Sequence, residues 1–146
     1  MARRSSAPIE WTAPMALGYV LERLSRSDIS AKQASQLLRR KGCPGELIES
    51  TVQSCVERGY IDNKRISEGL TLKAERAGWS NRRLKMTQSQ KGVPAGEPID
   101  ESASCKQLAE RWGARGMLPE KIAQRLRSRG FSFSAIRAAL ADQSQS

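Results

Sequence analysis

Three glycines set the strongest constraint on what this chain can fold into. With Gly42, Gly92 and Gly130 in register, Ile29, Trp79 and Met117 stand thirteen positions earlier, and Ala34, Leu84 and Ile122 stand eight earlier. Leu38, Gln88 and Leu126 come four earlier; Lys41, Lys91 and Arg129 come immediately before the glycine, and Cys43, Val93 and Phe131 immediately after it. Beyond the glycine, Ile48 and Val52 match Ile136 and Leu140 at identical offsets, while Ile99 and Ala103 fall one residue late. Apolar positions one helical turn apart, closed by a cation and then a glycine, mark a helix end. Glycine takes the left-handed conformation at little cost, and the cation faces the negative end of the helix dipole. A unit of this size buries a core poorly alone, so stacked copies extend it. The expectation is an all-α fold, an elongated array of three tandem three-helix repeats. The glycines lie 50 and then 38 residues apart, which makes the third copy the shortened one.

Local signals punctuate the copies. Residues 1–13 read as a disordered basic tail, 14–59 as the first repeat, 60–103 as the second, 104–141 as the third and 142–146 as a frayed Ser/Gln-rich end. Thr12 and Pro14 open a first helix. Ser30 with Gln33 has the form of a capping box, Pro44 opens the following helix, Asp62 and Ser80 are placed as N-caps, and Pro119 begins another helix. The stretch 121–140 is the clearest unit, two short helices hinged at Gly130.

Formal net charge is +10 from 25 Lys/Arg and 15 Asp/Glu, with a pI of about 10.2. Such an excess favours a polyanion or an acidic protein surface as partner. Half of it sits in residues 104–146, which hold eight Lys/Arg and three Asp/Glu. The candidate binding cations cluster at the second helix of each copy: Arg39, Arg40 and Lys41; Arg82, Arg83 and Lys85; Lys121, Arg125, Arg127 and Arg129. Complementing a helix C-terminus accounts for Lys41, Lys91 and Arg129. It leaves Arg82 and Arg83 unexplained, since they follow Ser80 at a helix start where positive charge is unfavourable. Lys121, Arg125 and Arg129 repel one another at i, i+4 spacing, at a few tenths of a kcal/mol per pair.

Catalysis finds little support. The chain has no histidine, so Ser-His and Cys-His nucleophiles and an imidazole base are absent. Cys43, Cys55 and Cys105 are odd in number and lack C-x-x-C spacing, which argues against a zinc site or disulfide framework and suits a reducing cytoplasm. Glu97, Asp100 and Glu101 read as a charged helix start rather than a metal site, and Trp79 reads as core rather than a base-stacking platform. No phosphate-cradling glycine loop, signal peptide or membrane-spanning run is evident. The expectation is a cytoplasmic monomer without catalytic residues, metal or cofactor.

Three stretches resemble the RecX family of bacterial RecA regulators: G-Y-I-D-N-K-R-I-S-E-G-L at 59–70, L-L-R-R-K-G at 37–42 followed by L-I-E-S-T-V at 47–52, and R-S-R-G-F-S-F-S-A-I-R-A-A-L at 127–140. The resemblance implies a modular three-repeat helical protein lying along the groove of the RecA–DNA filament. It implies inhibition of filament extension, ATP hydrolysis and strand exchange, with weak, non-specific affinity for single- or double-stranded DNA. The alternative reading takes residues 30–58 as a helix-turn-helix that binds DNA directly.

Overall fold

The computed structural model describes residues 10–144, which form eight helices and no strand. The chain divides into two compact units, residues 1–63 and 64–146.

The first unit holds α1 (Ala13–Leu24), α2 (Ala31–Arg40) and α3 (Gly45–Glu57), each packed against the other two. Their starts follow the expected signals. Thr12 Oγ1 accepts from the Met15 N–H, and Ser30 and Gln33 exchange the two bonds of a capping box. Capping of this kind contributes about 1 kcal/mol by satisfying N–H groups that lack an intrahelical partner. Ala16, Val20, Ile29, Ala34, Leu38, Cys43, Ile48, Val52, Cys55 and Ile61 form the core. Asn63 Oδ1 accepts from the Ala31 N–H and so ties the end of this unit to the start of α2.

The second unit holds α4 (Asn63–Ala77), whose first residue closes the preceding unit, α5 (Asn81–Lys91), α6 (Glu101–Ala114), α7 (Pro119–Ser128) and α8 (Phe133–Ser144). One cluster joins α4 and α5 through Leu70, Ala74, Trp79, Leu84, Val93 and Ile99. A second joins α6, α7 and α8 through Cys105, Leu108, Trp112, Ile122, Leu126, Phe131 and Ile136, among others.

The three registered glycines behave alike. Gly42, Gly92 and Gly130 have φ of 89°, 75° and 92°. In each case the next N–H reaches back to the carbonyl five residues earlier: Cys43 to Leu38, Val93 to Gln88 and Phe131 to Leu126. Each helix stop therefore rests on a residue without a Cβ to clash in the left-handed region.

The middle copy departs from expectation. Its third helix, looked for around Ile99 and Ala103, is missing, and residues 93–100 are irregular. Pro94, Gly96 and Pro98 in that stretch remove two N–H donors and disfavour helix. Ile99 is buried as expected, but Ala103 is exposed, and the expected boundary at 103 falls inside the first turn of α6. Asp100 caps α6 by accepting from the Ser102 N–H. Gln88, the polar residue at an apolar register position, is buried. Its Nε2 donates to Ser67 Oγ at 3.1 Å, and that hydroxyl donates to the Pro94 carbonyl. The irregular segment thus supplies the acceptor that lets a polar side chain occupy a core position.

Of the expected N-terminal tail, residues 1–9 lie outside the described residues, and α1 already begins at Ala13. At the other end α8 runs through Ser144 rather than fraying from 142, and residues 145–146 lie outside the described residues.

Candidate partner-binding site

Arg39, Arg40 and Lys41 belong to the first unit, at the end of α2, and all three are exposed. Lys41 places its ammonium 4.5 Å from the centroid of the Tyr19 ring, which is itself 5.6 Å from the ring of Trp11. Arg40 edges a small recess with Arg23, Gln33 and Gln36. These cations therefore crown a helix C-terminus and an aromatic pair, and the dipole accounts for much of their placement.

The remaining seven candidates fall in the second unit, where the fold brings three of them together. Arg82, Arg83 and Arg129 line a recess of about 550 Å³, along with Trp79, Ser80, Met86 and Gly130. Two tethers build it. Ser80 caps α5 by accepting from the Arg83 N–H at 3.1 Å, and its hydroxyl donates to the Arg129 carbonyl at 2.7 Å. The start of α5 is thereby fastened to the end of α7 across 49 residues of sequence. Glu101 supplies the second tether: Oε1 accepts from the Asn81 N–H at 2.8 Å and Oε2 from the Ser132 N–H at 3.1 Å. Asn81 completes the frame by exchanging two bonds with the backbone of Ile99.

The arginines are held by packing. The Arg83 guanidinium carbon lies 4.2 Å from the centroid of the Trp79 ring. The Arg82 stem runs so close to Gly130 that a Cβ there would stand 2.9 Å from its Cδ. Arg125 and Arg129 approach the Trp112 ring at 5.4 and 5.1 Å. The expected stripe of Lys121, Arg125 and Arg129 is accordingly drawn in at two of its members, and attraction to the ring offsets their mutual repulsion. Lys85, Lys121 and Arg127 are exposed, with no side-chain bond among the described residues. No carboxylate among the described residues pairs with Arg82, Arg83 or Arg129.

Trp79 and Trp112 are 8% and 5% exposed, which makes them core residues. Among the acidic residues Glu97, Asp100 and Glu101, the last two spend their carboxylates on backbone N–H groups. Sequence reasoning placed Ser80 as a cap and Glu101 at a helix start, and missed that both assemble the recess. Their partners are backbone groups, which leave no mark in a sequence. All three thiols are buried, and desolvation pushes each above its ordinary value, Cys105 to about 12 with the Glu101 charge adding to the effect. Among the described residues no helix is long and apolar enough to cross a membrane.

No family model matches the chain. It is 31% identical over 136 residues to the regulatory protein RecX of Vibrio vulnificus, covering 84% of this chain and 89% of that one. It is 27% identical over 130 residues to the regulatory protein RecX of Ectopseudomonas mendocina, covering 80% and 86%. The crystal structure of RecX from Lactobacillus salivarius matches the fold with a TM-score of 0.75 at 17% identity, over 92% of this chain and 97% of that one. A second crystal structure, of a regulatory protein RecX, matches with a TM-score of 0.72 over 86% of this chain. The extent of the Vibrio match, along nearly the whole of both chains, shows that this chain belongs to the RecX family of regulatory proteins.

Proposed function

We propose that the protein binds the RecA–DNA filament in the cytoplasm as a monomer and inhibits filament extension, RecA ATP hydrolysis and strand exchange, without a catalytic site of its own. Membership in the family supports a regulatory role. The observation that carries the binding half of the reading is the convergence of Arg82, Arg83 and Arg129 on one recess, none of them in an ion pair with a carboxylate among the described residues. Exposed guanidinium groups outside any ion pair and oriented by packing are what an anionic partner surface selects. We further propose that the chain descends from three repeats, of which the middle one has exchanged its third helix for the irregular segment at 93–100. Affinity for DNA itself is secondary and sequence-blind, through the excess of Lys and Arg.

The helix-turn-helix alternative gains nothing from the structure. Its second helix, α3, would have to enter the major groove, yet it carries Glu46, Glu49 and Glu57 and no Lys or Arg. Carboxylates on such a helix repel the phosphates on either side of the groove.

The test is RecA hydrolysis of ATP on single-stranded DNA at moderate salt. The expected result is inhibition at substoichiometric protein, relieved in the double variant Arg82→Glu, Arg83→Glu. Undiminished hydrolysis at equimolar protein would refute the reading.

A further inference from the structure

We propose that the recess between the start of α5 and the end of α7 is a carboxylate subsite, which receives an acidic peptide segment carrying an apolar residue beside the acid. This deepens the filament reading and rests on it for the protein to which that segment belongs.

The charge in the recess is guanidinium charge. At an anion site built on a helix N-terminus, the backbone N–H groups of the first turn point at the ligand. Here the Asn81 N–H is taken by Glu101 and the Arg83 N–H by Ser80. Of the first-turn N–H groups only that of Arg82 is left, so recognition falls mainly to the Arg82 and Arg83 forks, whose donor geometry matches a carboxylate bidentately. In the free protein the Arg83 fork stacks on Trp79 and the Arg82 stem packs against Gly130, which directs both side chains along the recess.

The walls argue for peptide over nucleic acid. Single-stranded nucleic acid binds through open aromatic faces as well as through charge. Trp79 is buried and already carries Arg83 at 4.2 Å and Lys73 at 5.7 Å against its ring, so it offers no face to a base. Met86, by contrast, is 51% exposed on the recess wall. A flexible thioether beside two fixed guanidinium groups suits an aliphatic side chain next to an aspartate or glutamate. A phosphodiester strand brings no such group.

The experiment titrates the full-length protein with a short, end-blocked peptide of Glu, Asp and Leu, read by calorimetry and tryptophan emission. The same peptide with Gln and Asn in place of the acids, and an oligothymidylate of equal charge, serve as comparison arms. The acidic peptide is expected to bind, with a change in tryptophan emission as Arg83 re-engages from Trp79, and the neutral peptide is expected not to bind. Affinity should fall roughly tenfold or more in Arg82→Glu, Arg83→Glu, since paired charges are being reversed. It should fall more modestly in Arg82→Lys, Arg83→Lys, which keeps the charge and removes the forks; this variant carries the test alone if circular dichroism shows the reversal variant unfolded. Equal binding of the neutral peptide, undiminished binding in the lysine variant, or displacement of the peptide by equimolar oligothymidylate would each overturn the subsite. Peptide binding without inhibition of RecA would leave the subsite standing and sink the filament reading. Inhibition without peptide binding would do the reverse.

Discussion

Replacing Gly130 by alanine tests whether the recess is held by close packing, and Gly116 provides the matched control. Both glycines lie in the second unit, each just past a helix end, with φ of +92° and +90°. An alanine at either position pays for the left-handed backbone, about 1–2 kcal/mol. The surroundings then separate them. A Cβ on Gly116 meets nothing within 4 Å, whereas one on Gly130 stands 2.9 Å from Arg82 Cδ, 3.1 Å from Arg82 Cβ and 3.2 Å from Ser80 Oγ. The Arg82 Cδ can swing away, but its Cβ and the Ser80 hydroxyl are fixed by α5. Pushing Ser80 aside loosens its bonds to the Arg129 carbonyl and the Arg83 N–H, a cap whose loss costs about 1 kcal/mol. Gly116→Ala should therefore destabilise by about 1–2 kcal/mol and Gly130→Ala by about 2–3 kcal/mol. Urea unfolding followed by far-ultraviolet circular dichroism reads both as shifts in midpoint at constant slope. Only Gly130→Ala should also weaken binding of the acidic peptide, because only it displaces Arg82. Equal losses in the two variants, within about 0.3 kcal/mol, would refute the reasoning: the close approach would then carry no energy beyond the backbone strain.

Three further outcomes are expected. Ser67→Ala should cost about 1–3 kcal/mol, since it strands the buried Gln88 amide and the Pro94 carbonyl, and adding Gln88→Leu should recover part of the loss in the same urea assay. Glu101→Ala removes the acceptor of two N–H groups on the partly exposed frame of the recess and should cost about 2 kcal/mol; Glu101→Gln, which keeps one acceptor oxygen, should cost less by thermal unfolding. Burial raises the Cys105 thiol from an ordinary 9.0 to about 12 and raises Cys43 and Cys55 as well, so the fold holds protons that the unfolded chain has released. The stability this contributes is complete below about pH 9 and is lost as pH climbs toward 12, which unfolding midpoints measured across that window would show; Cys105→Ala should flatten the decline.

The helix stops were the most legible feature of the sequence because they rest on one residue each. A glycine following a cation has few alternatives to a left-handed cap, and Gly42, Gly92 and Gly130 all adopt it. The caps at Thr12, Ser30 and Ser80 were legible for a similar reason, since their bonds close within three residues. The candidate cations were legible as types but not as a cluster. Arg82 and Arg129 are 47 positions apart in sequence, and what joins their segments is a serine hydroxyl on a backbone carbonyl. Any residue supplies a carbonyl, so no pattern of side chains could have announced that bond. The stripe at Lys121, Arg125 and Arg129 was legible as a shared exposed face, and its contact with a neighbouring ring was not, because helical spacing shows which residues share a face and says nothing of what lies beside them. Trp112 draws in two of the three. The middle copy was the hardest to read, because a proline and glycine run between two apolar positions can hold them at core depth without a helix, as it does for Val93 and Ile99.

The lapse in the repeat and the formation of the recess have a common physical origin. In a regular copy, residues after the glycine form a third helix whose backbone N–H and carbonyl groups satisfy one another. Residues 93–100 do not form that helix, so their polar backbone needs other partners. Ser67 takes the Pro94 carbonyl and Asn81 takes both backbone groups of Ile99. The second pairing draws residue 99 onto the first turn of α5, and two residues later Glu101 reaches the Asn81 N–H. That carboxylate puts negative charge at the helix start where Arg82 and Arg83 are otherwise unfavourable, and so offsets part of their cost against the dipole. A helix in place of 93–100 would satisfy its own backbone and remove the demand that brings Ile99 and Glu101 to α5. The two arginines would then face the dipole without compensation. Positive charge at the start of α5 and the missing helix are therefore coupled: restoring the helical pattern by replacing Pro94, Gly96 and Pro98 with alanine should weaken acidic-peptide binding even though no residue of the recess is altered, and unchanged affinity in that variant would break the link.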